Sequence, residues 1–188
     1  MIRIGIIGDI GSGKSYVASN FGYPVFNADQ EVSGLYKNNR KIFRSLNKLI
    51  PKYIVSFPID KKEISNAILA NKINLKKIVK VVHKEIRKKI KLFLIKNKKR
   101  KIIILDIPLL LENKINNKKD ILIYVDAKKS KLNKRLKNRP NFNIKLFNKF
   151  KKIQLPIDYK KRKSHFIIKN DFTKRTVLKY VKNILKQL

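Results

Sequence analysis

One eight-residue stretch near the start of the chain restricts its possible folds more than any other feature. An apolar run, Ile2–Ile7, leads into the segment GDIGSGKS at residues 8–15, and a helix-like stretch, Tyr16–Phe21, follows it. The segment fits the pattern G-x-x-x-x-G-K-[ST] at every fixed position. Glycines in this pattern let backbone N–H groups wrap a polyphosphate, and the following helix presents its positive end to the same anion. The sequence therefore predicts a site for ATP or GTP at the end of a buried parallel strand.

The residues of this phosphate loop have separate predicted roles. We expect the Lys14 ammonium to reach the β- and γ-phosphates, and the Ser15 hydroxyl to complete the shell of a Mg²⁺ ion. Asp9 is unusual, because an acid inside such a loop either points outward to solvent or lowers the affinity for the anion. The predicted nucleotide-binding segment consists of Gly8, Asp9, Ile10, Gly11, Ser12, Gly13, Lys14, Ser15 and Tyr16.

Two carboxylates follow or end short apolar strands. Asp29 comes two residues after the strand Tyr23–Asn27, and Asp106 ends the strand Lys101–Asp106. Strand carboxyl ends face the ligand crevice of an open parallel sheet, so Asp29 can accept the proton of an attacking hydroxyl. An N-cap of a helix beginning at Gln30 is the equal alternative for Asp29. We expect Asp106 to orient Mg²⁺ or its waters, with a capping or turn acid as the alternative.

Short apolar strands alternate with helices along the chain, which predicts an α/β fold with a parallel sheet. Further strands are expected at Ile121–Asp126 and Phe166–Ile168. Between them lies a predicted helix, Lys128–Asn138, followed by a break at residues 139–141. Arg135 and Arg139 stand four residues apart, so we expect both on one helix face, where two guanidinium groups reach one anion. Two solvated helix residues are the alternative.

Composition excludes several classes of site. The chain has 188 residues, no cysteine and two histidines, so a disulfide framework, a thiolate metal site and a cysteine nucleophile are ruled out. Its 48 Lys+Arg against 12 Asp+Glu give a net charge of +36. Ile, Lys and Asn make up 87 of the 188 residues. All three have A/T-rich codons, so base composition explains the charge better than a specific nucleic-acid partner does. Apolar stretches are too short to span a bilayer and no leader pattern precedes them, which predicts a cytoplasmic protein without membrane contact.

These motifs together resemble the dephospho-coenzyme A kinase family, from the phosphate loop to the closing helix. The most diagnostic stretch is DIPLLLE at residues 106–112, which is similar to the family's Asp-Val-Pro-Leu-Leu-Phe-Glu signature. Arg135, Arg139 and Gln154 fall where the family's lid carries Arg, Arg and Gln. Further resemblances are PVFNAD at 24–29 to a segment ending in Asp-Ala-Asp, IDK at 59–61 to Leu-Asp-Arg, HK at 83–84 to His-Pro, and IIKN at 167–170 to Ile-Asp-Asn.

The resemblance implies that ATP phosphorylates the ribose 3′-hydroxyl of dephospho-CoA, with Mg²⁺ as cofactor. It implies that Asp29 is the catalytic base and that Lys14 and Arg139 stabilise the transferring phosphoryl group. Arg135 and Asn170 are expected at the nucleotide. Mg²⁺ would be held by Ser15, with Asp29 or Asp106 acting through water. The expected acceptor-binding residues are Asp29, Lys61, His83, Asp106, Pro108, Leu109 and Gln154; for His83, a position in the hydrophobic core is the equal alternative.

We expect one kinase domain over residues 1–188, of the P-loop NTPase type, with three αβα layers around a five-stranded parallel sheet of order 2-3-1-4-5. A nucleotide-binding core would comprise residues 1–29, 99–132 and 165–188. A helical acceptor-binding insertion would cover residues 30–98, and a lid residues 133–164. Two alternative functions stay open: another small-molecule P-loop kinase with a nucleoside-type acceptor, and a basic nucleic-acid-binding ATPase. The oligomeric state is not predicted.

Overall fold

A computed structural model describes residues 1–140 and 142–188. Asn141, the last residue of the predicted break, lies outside this range. The described residues form β1 (Ile2–Gly8), α1 (Lys14–Ser19), β2 (Val25–Asn27), α2 (Ala28–Asn38), α3 (Arg40–Leu49), α4 (Lys61–Ala70), α5 (Lys72–Lys96), β3 (Ile102–Asp106), β4 (Ile121–Asp126), α6 (Lys129–Lys137), α7 (Ile144–Lys152), α8 (Ile157–Lys163), β5 (Phe166–Lys169) and α9 (Lys174–Lys186).

The five strands form one parallel sheet in the order β2-β3-β1-β4-β5, which confirms the predicted topology. Ile4 of β1 pairs with Ile104 of β3 on one side and with Ile121 of β4 on the other. All five residues of β3 are buried. A strand covered on both faces needs apolar side chains in both directions, which explains its unbroken Ile-Ile-Ile-Leu run.

Helices cover the sheet and complete the predicted three-layer αβα arrangement. The apolar stripes of α1 and α9 join the sheet in one hydrophobic core. Val17 and Val177 contribute one fully buried side chain each from these two helices. Helix α8 packs against β1 and β4. The strand whose carboxyl end begins the phosphate loop is therefore part of a packed hydrophobic core.

The chain divides into two compact units, residues 1–27 with 97–188, and residues 28–96. The first unit contains the whole sheet. The second contains α2 to α5, with α2, α3 and α4 each packed against α5. Its limits lie two residues from those expected for the acceptor-binding insertion, and its role in acceptor binding stays a prediction. Within it, α4 was not predicted from the sequence; Asp60 caps it by accepting a hydrogen bond of 2.8 Å from the Lys62 N–H.

Over the described residues, no helix has both the length and the apolar character that a membrane crossing demands.

Candidate active site

The phosphate loop joins β1 to α1 in a backbone conformation that only glycine adopts readily. Gly8 and Gly13 have φ angles of 149° and 90°. A Cβ atom on Gly13 would lie 2.6 Å from Asn170 Nδ2, and one on Gly8 would lie 2.7 Å from the Val125 carbonyl oxygen. Two reasons therefore favour glycine at both positions: the positive φ, and the close approach of neighbouring atoms that leaves no room for a Cβ. Between them, the Ser12 N–H donates to the Asp9 carbonyl at 3.1 Å and closes the turn that contains Ile10 and Gly11.

The Lys14 ammonium lies over the loop's own backbone. Its Nζ donates to the carbonyl oxygens of Gly8 at 3.2 Å and Asp9 at 2.8 Å. Ser15 and Tyr16, in the first turn of α1, have exposed side chains. The loop lysine is therefore held beside the turn that a polyphosphate would fill, and the Ser15 hydroxyl is accessible to a ligand.

Asn170 anchors the loop from the end of β5. Its Nδ2 donates to the Ser12 carbonyl at 2.8 Å, and its Oδ1 accepts from the Phe172 N–H at 2.9 Å. Its backbone N–H donates to the Asp126 carbonyl at 2.7 Å. Asn170 is 4% exposed and Ser12 is fully buried. The sequence placed Asn170 at the nucleotide; the structure gives it a role in positioning the loop, and direct contact with a nucleotide stays a prediction.

Asp106 is buried at the carboxyl end of β3, beside the end of β2. Asn27 pairs with Asp106 in the sheet register, and its Nδ2 donates to Asp106 Oδ2 at 2.7 Å. A carboxylate buried to 3% exposure needs such a donor, because an unpaired charge there would be strongly destabilising. Asn27 therefore supplies a hydrogen-bond donor to the buried Asp106 carboxyl group. In the sequence, Asn27 only occupies the first Asp position of the Asp-Ala-Asp segment that residues 24–29 resemble, and nothing there indicates this hydrogen bond.

A small pocket lies where the phosphate loop meets the turn after β3. It is lined by Ile7, Gly8, Lys14, Ile107, Leu109, Leu110, Glu112, Gln154 and Lys160. Four predicted site residues thus come together in it: Gly8, Lys14, Leu109 and Gln154. Leu109 has a φ of 59°, in the left-handed region that non-glycine residues seldom occupy. The predicted Pro108 does not line the pocket, and its side chain is exposed.

Lys160 is a residue of this pocket that the sequence did not single out. Its Nζ lies 3.4 Å from Asp9 Oδ1 and 3.9 Å from Glu112 Oε1. Glu112 Oε1 also accepts from the Leu155 N–H at 3.0 Å. Asp9 therefore faces a cation while part of its side chain stays exposed, and the alternative that it lowers the affinity for an anion stays a prediction. Nothing in the sequence distinguishes Lys160 from the other 38 lysines, because its position depends on contacts across about 150 residues of chain.

The two predicted lid arginines do not share a helix face, which corrects the sequence interpretation. Helix α6 ends at Lys137, and Arg139 lies two residues beyond it. The reason is local: Arg139 precedes Pro140, and the proline ring disfavours helical backbone at the residue before it. The Arg135 guanidinium lies 5.0 Å from the centre of the Phe172 ring, close enough for a cation–π contact. Both arginine side chains are exposed.

Three predicted acceptor-side residues belong to the helical unit. Asp29 is the exposed second residue of α2, which begins at Ala28, so the alternative of an N-cap for a helix at Gln30 is wrong. Lys61 is exposed at the start of α4. His83 is half-buried on α5, beside the buried face and not within it. Its pKa is lowered, first by partial burial and then by the nearby positive charge of Arg87, so the neutral imidazole is favoured.

Comparison with known proteins identifies the family. Residues 2–175 match the family model described as dephospho-CoA kinase. The dephospho-CoA kinase of Wolbachia pipientis wMel is 36% identical over 190 residues, covering 98% of this chain and 97% of that protein. The crystal structure of TT1252 from Thermus thermophilus matches with a TM-score of 0.78 at 26% identity, over 100% of this chain and 97% of the other.

A second solved structure supports the fold alone. The dephospho-CoA kinase from Campylobacter jejuni superposes with a TM-score of 0.65 at 22% identity, over 98% of this chain and 96% of the other. The family match covers both the phosphate loop and the DIPLLLE segment that line the pocket described above. By sequence over nearly its whole length, this chain belongs to the dephospho-CoA kinase family.

Proposed function

We propose that the chain transfers the γ-phosphoryl group of ATP to the ribose 3′-hydroxyl of dephospho-CoA, yielding CoA and ADP. The observation that carries this proposal is the preformed phosphate loop in a chain that belongs to the dephospho-CoA kinase family. The relatives named above bear the name of this activity. A P-loop by itself specifies a nucleotide and not an acceptor, so the acceptor rests on family membership.

ATP binding would replace the loop's internal contacts. The Lys14 ammonium now donates to two loop carbonyls, and its flexible stem lets it turn to the β- and γ-phosphate oxygens. Backbone N–H groups of the loop supply further donors around the phosphates. These groups hold the γ-phosphorus for in-line attack, and positioning with charge stabilisation accounts for most of the rate in phosphoryl transfer.

Asp29 is the proposed general base. Its carboxylate is exposed in the first turn of α2, two residues after β2 ends. As the 3′-oxygen forms its bond to the γ-phosphorus, the hydroxyl proton passes to Asp29 and the bond to the β-phosphate oxygen breaks, releasing ADP. The lid proposed for residues 133–164 would exclude water from this step, and Arg139 would neutralise the charge that develops on the phosphoryl oxygens.

The residues present also fit a Mg²⁺ ion. Hydroxyl and carboxylate oxygens are its preferred protein ligands, and it usually keeps several waters and binds through one or two carboxylates and the substrate phosphates. We propose that Ser15 binds Mg²⁺ directly and that Asp29 or Asp106 does so through water. When bound, the ion neutralises charge on the β- and γ-phosphates. Among the residues described, no three His, Asp or Glu side chains form a cluster that could hold a metal without the nucleotide.

A direct assay tests the proposal. Purified protein is incubated with ATP, Mg²⁺ and one acceptor at a time: dephospho-CoA, nucleosides, shikimate and RNA. We expect ADP release and CoA formation with dephospho-CoA only, and phosphorus NMR should place the new phosphate on the 3′-oxygen. Phosphoryl transfer to a different hydroxyl, or ATP turnover stimulated by RNA, would contradict the assignment of dephospho-CoA as the acceptor.

A cytoplasmic location remains a prediction from the sequence.

Two variants of α2 test the base. Asp29→Asn should lower kcat by roughly 10²- to 10⁴-fold, since proton transfer contributes about that factor, while ATP affinity stays within about two-fold. Glu31→Gln is the matched control, because Glu31 lies in the same first turn and pairs with Lys89 at 2.7 Å. Its kcat should equal that of the wild type. An Asp29→Asn enzyme with unchanged kcat would remove Asp29 as the base.

A further inference from the structure

The pocket beside the phosphate loop contains a buried ammonium group that the mechanism above does not use. Lys160 is 2% exposed and, in the part of the chain that the structure describes, is the one buried lysine. Taking an ammonium group out of water is strongly unfavourable unless close hydrogen-bond acceptors replace the water. Its place in the pocket therefore requires compensation from its surroundings.

The protein's own carboxylates lie too far from the Lys160 ammonium to replace its lost hydration fully. Its nearest carboxylate oxygens lie at 3.4 Å, on Asp9, and at 3.9 Å, on Glu112. Hydrogen bonds between an ammonium and a carboxylate are typically about 2.7–2.9 Å long. The next residue of the same helix reaches that length, since Lys161 Nζ lies 2.9 Å from Asp126 Oδ2. An ammonium has three N–H donors, and one long hydrogen bond to Asp9 satisfies at most one of them.

The pocket that contains Lys160 adjoins the phosphate loop. Lys160 lines the same pocket as Gly8 and Lys14, the first and seventh residues of the phosphate loop. Two lysines, Lys14 and Lys160, line this one small pocket, and two positive side chains suit an anion that carries several oxygens. A phosphate group of ATP is the anion that the loop brings to this position.

We propose that Lys160 is a second phosphate-binding lysine of this site, whose Nζ donates to an oxygen of the terminal phosphate of ATP. This inference rests on the proposed function for the identity of the nucleotide. Asp9 and Glu112 hold the ammonium in place before the nucleotide arrives, and Glu112 is itself fixed by the Leu155 N–H. In this proposal the acid inside the phosphate loop, Asp9, positions the Lys160 ammonium of α8 at the loop.

Calorimetry on the full-length Lys160→Met protein tests the proposal with three probes: β,γ-imido ATP, AMP and dephospho-CoA. We expect the affinity for β,γ-imido ATP to fall at least ten-fold, and those for AMP and dephospho-CoA to change less than two-fold. Loss of dephospho-CoA affinity alone would overturn the assignment to ATP, because the acceptor also carries phosphates. Unchanged affinity for all three probes would overturn the proposal entirely.

A compensated variant separates phosphate binding from simple neutralisation of the two acids. Asp9→Asn combined with Lys160→Met removes one charge of each sign, so the net charge of the Asp9, Glu112 and Lys160 group stays the same. This double variant can be measured even if Lys160→Met alone proves unstable. We expect this double variant to bind β,γ-imido ATP at least ten-fold more weakly than Asp9→Asn alone. Equal binding by the two would show Lys160 to be a counterion only and would overturn the proposal.

Lys161→Met is the matched control, because it removes an ion-paired lysine from the same helix. Its affinity for β,γ-imido ATP should stay within two-fold of the wild type, and a ten-fold loss would overturn the specific role of Lys160. The affinities for β,γ-imido ATP are measured without an acceptor, so they do not depend on which acceptor the protein phosphorylates. A wild-type protein that fails to phosphorylate dephospho-CoA refutes the proposed function, while the dependence of nucleotide affinity on Lys160 is still measured.

Discussion

Replacing Asn170 with alanine should loosen the phosphate loop without touching any residue of the loop itself. The Asn170 side chain makes two hydrogen bonds, from Nδ2 to the Ser12 carbonyl at 2.8 Å and from the Phe172 N–H to Oδ1 at 2.9 Å. Asn170 and Ser12 are both buried. Alanine therefore leaves one buried carbonyl and one partly buried N–H without their partners.

The expected loss follows from the cost of leaving such groups unpaired. Each buried polar group that loses its partner destabilises a protein by about 1–3 kcal/mol. Two such groups predict a decrease of about 2–4 kcal/mol in the free energy of unfolding, because the N–H is less deeply buried than the carbonyl. For a chain of this length, about 3 kcal/mol corresponds to a fall in Tm of roughly 6–12 °C. Since the Ser12 carbonyl belongs to the loop, ATP affinity should fall with stability.

Urea unfolding and calorimetric titration with ATP test this reasoning. Asn170→Asp provides a comparison, because it keeps an acceptor for Phe172 but places a carboxylate oxygen against the Ser12 carbonyl; it should destabilise at least as much as alanine. Dephospho-CoA affinity should change less than ATP affinity in both variants. An Asn170→Ala protein whose unfolding free energy and ATP affinity match the wild type would refute the anchoring role.

Four further outcomes are expected. Gly13→Ala should lower the free energy of unfolding by about 1–2 kcal/mol and the ATP affinity at least ten-fold, because the φ of Gly13 is 90° and a Cβ there would lie 2.6 Å from an amide nitrogen. Gly34→Ala is the control, because Gly34 in α2 has open space around it; in thermal unfolding it should be neutral or stabilising. Lys14→Ala should abolish measurable ATP binding and turnover. Asp171 accepts hydrogen bonds from the Thr173 N–H and from two threonine hydroxyls, which lower its pKa to about 2. These hydrogen bonds should therefore stabilise the folded protein above the unfolded pKa near 4, and this stabilisation should be lost as the pH falls through about 2. A carboxyl NMR titration of Asp171 with a midpoint near 4 would contradict this expectation. Because the net charge of +36 repels itself, Tm should rise between about 50 and 500 mM NaCl, and a constant or falling Tm would contradict that expectation.

Much of the fold could be predicted because it is encoded in local patterns. The apolar runs that became β1 and β3 are buried on both faces, and only a parallel sheet covered by helices accommodates strands of that kind. The spacing of Gly8, Gly13 and Lys14 predicted the phosphate loop, since positive φ angles and close backbone approach are properties of glycine itself. The sheet order followed from the family resemblance. Helix α4 was missed although its buried residues, Ile64, Ala67 and Ile68, follow helical spacing, because three such residues in ten are a short signal.

The sequence by itself therefore determined the strand–loop–helix that receives a nucleotide, the class of fold around it and, through motif resemblance, the kinase family. Only the tertiary structure decided that Asn170 anchors the loop, that Asn27 stabilises Asp106, and that Lys160 is buried at the phosphate pocket. These contacts join residues 79 to 158 positions apart in the chain. The positive φ angles of the phosphate loop require its own glycines, which the sequence shows directly, whereas the partner of a buried polar group depends on which distant segments the folded sheet brings together.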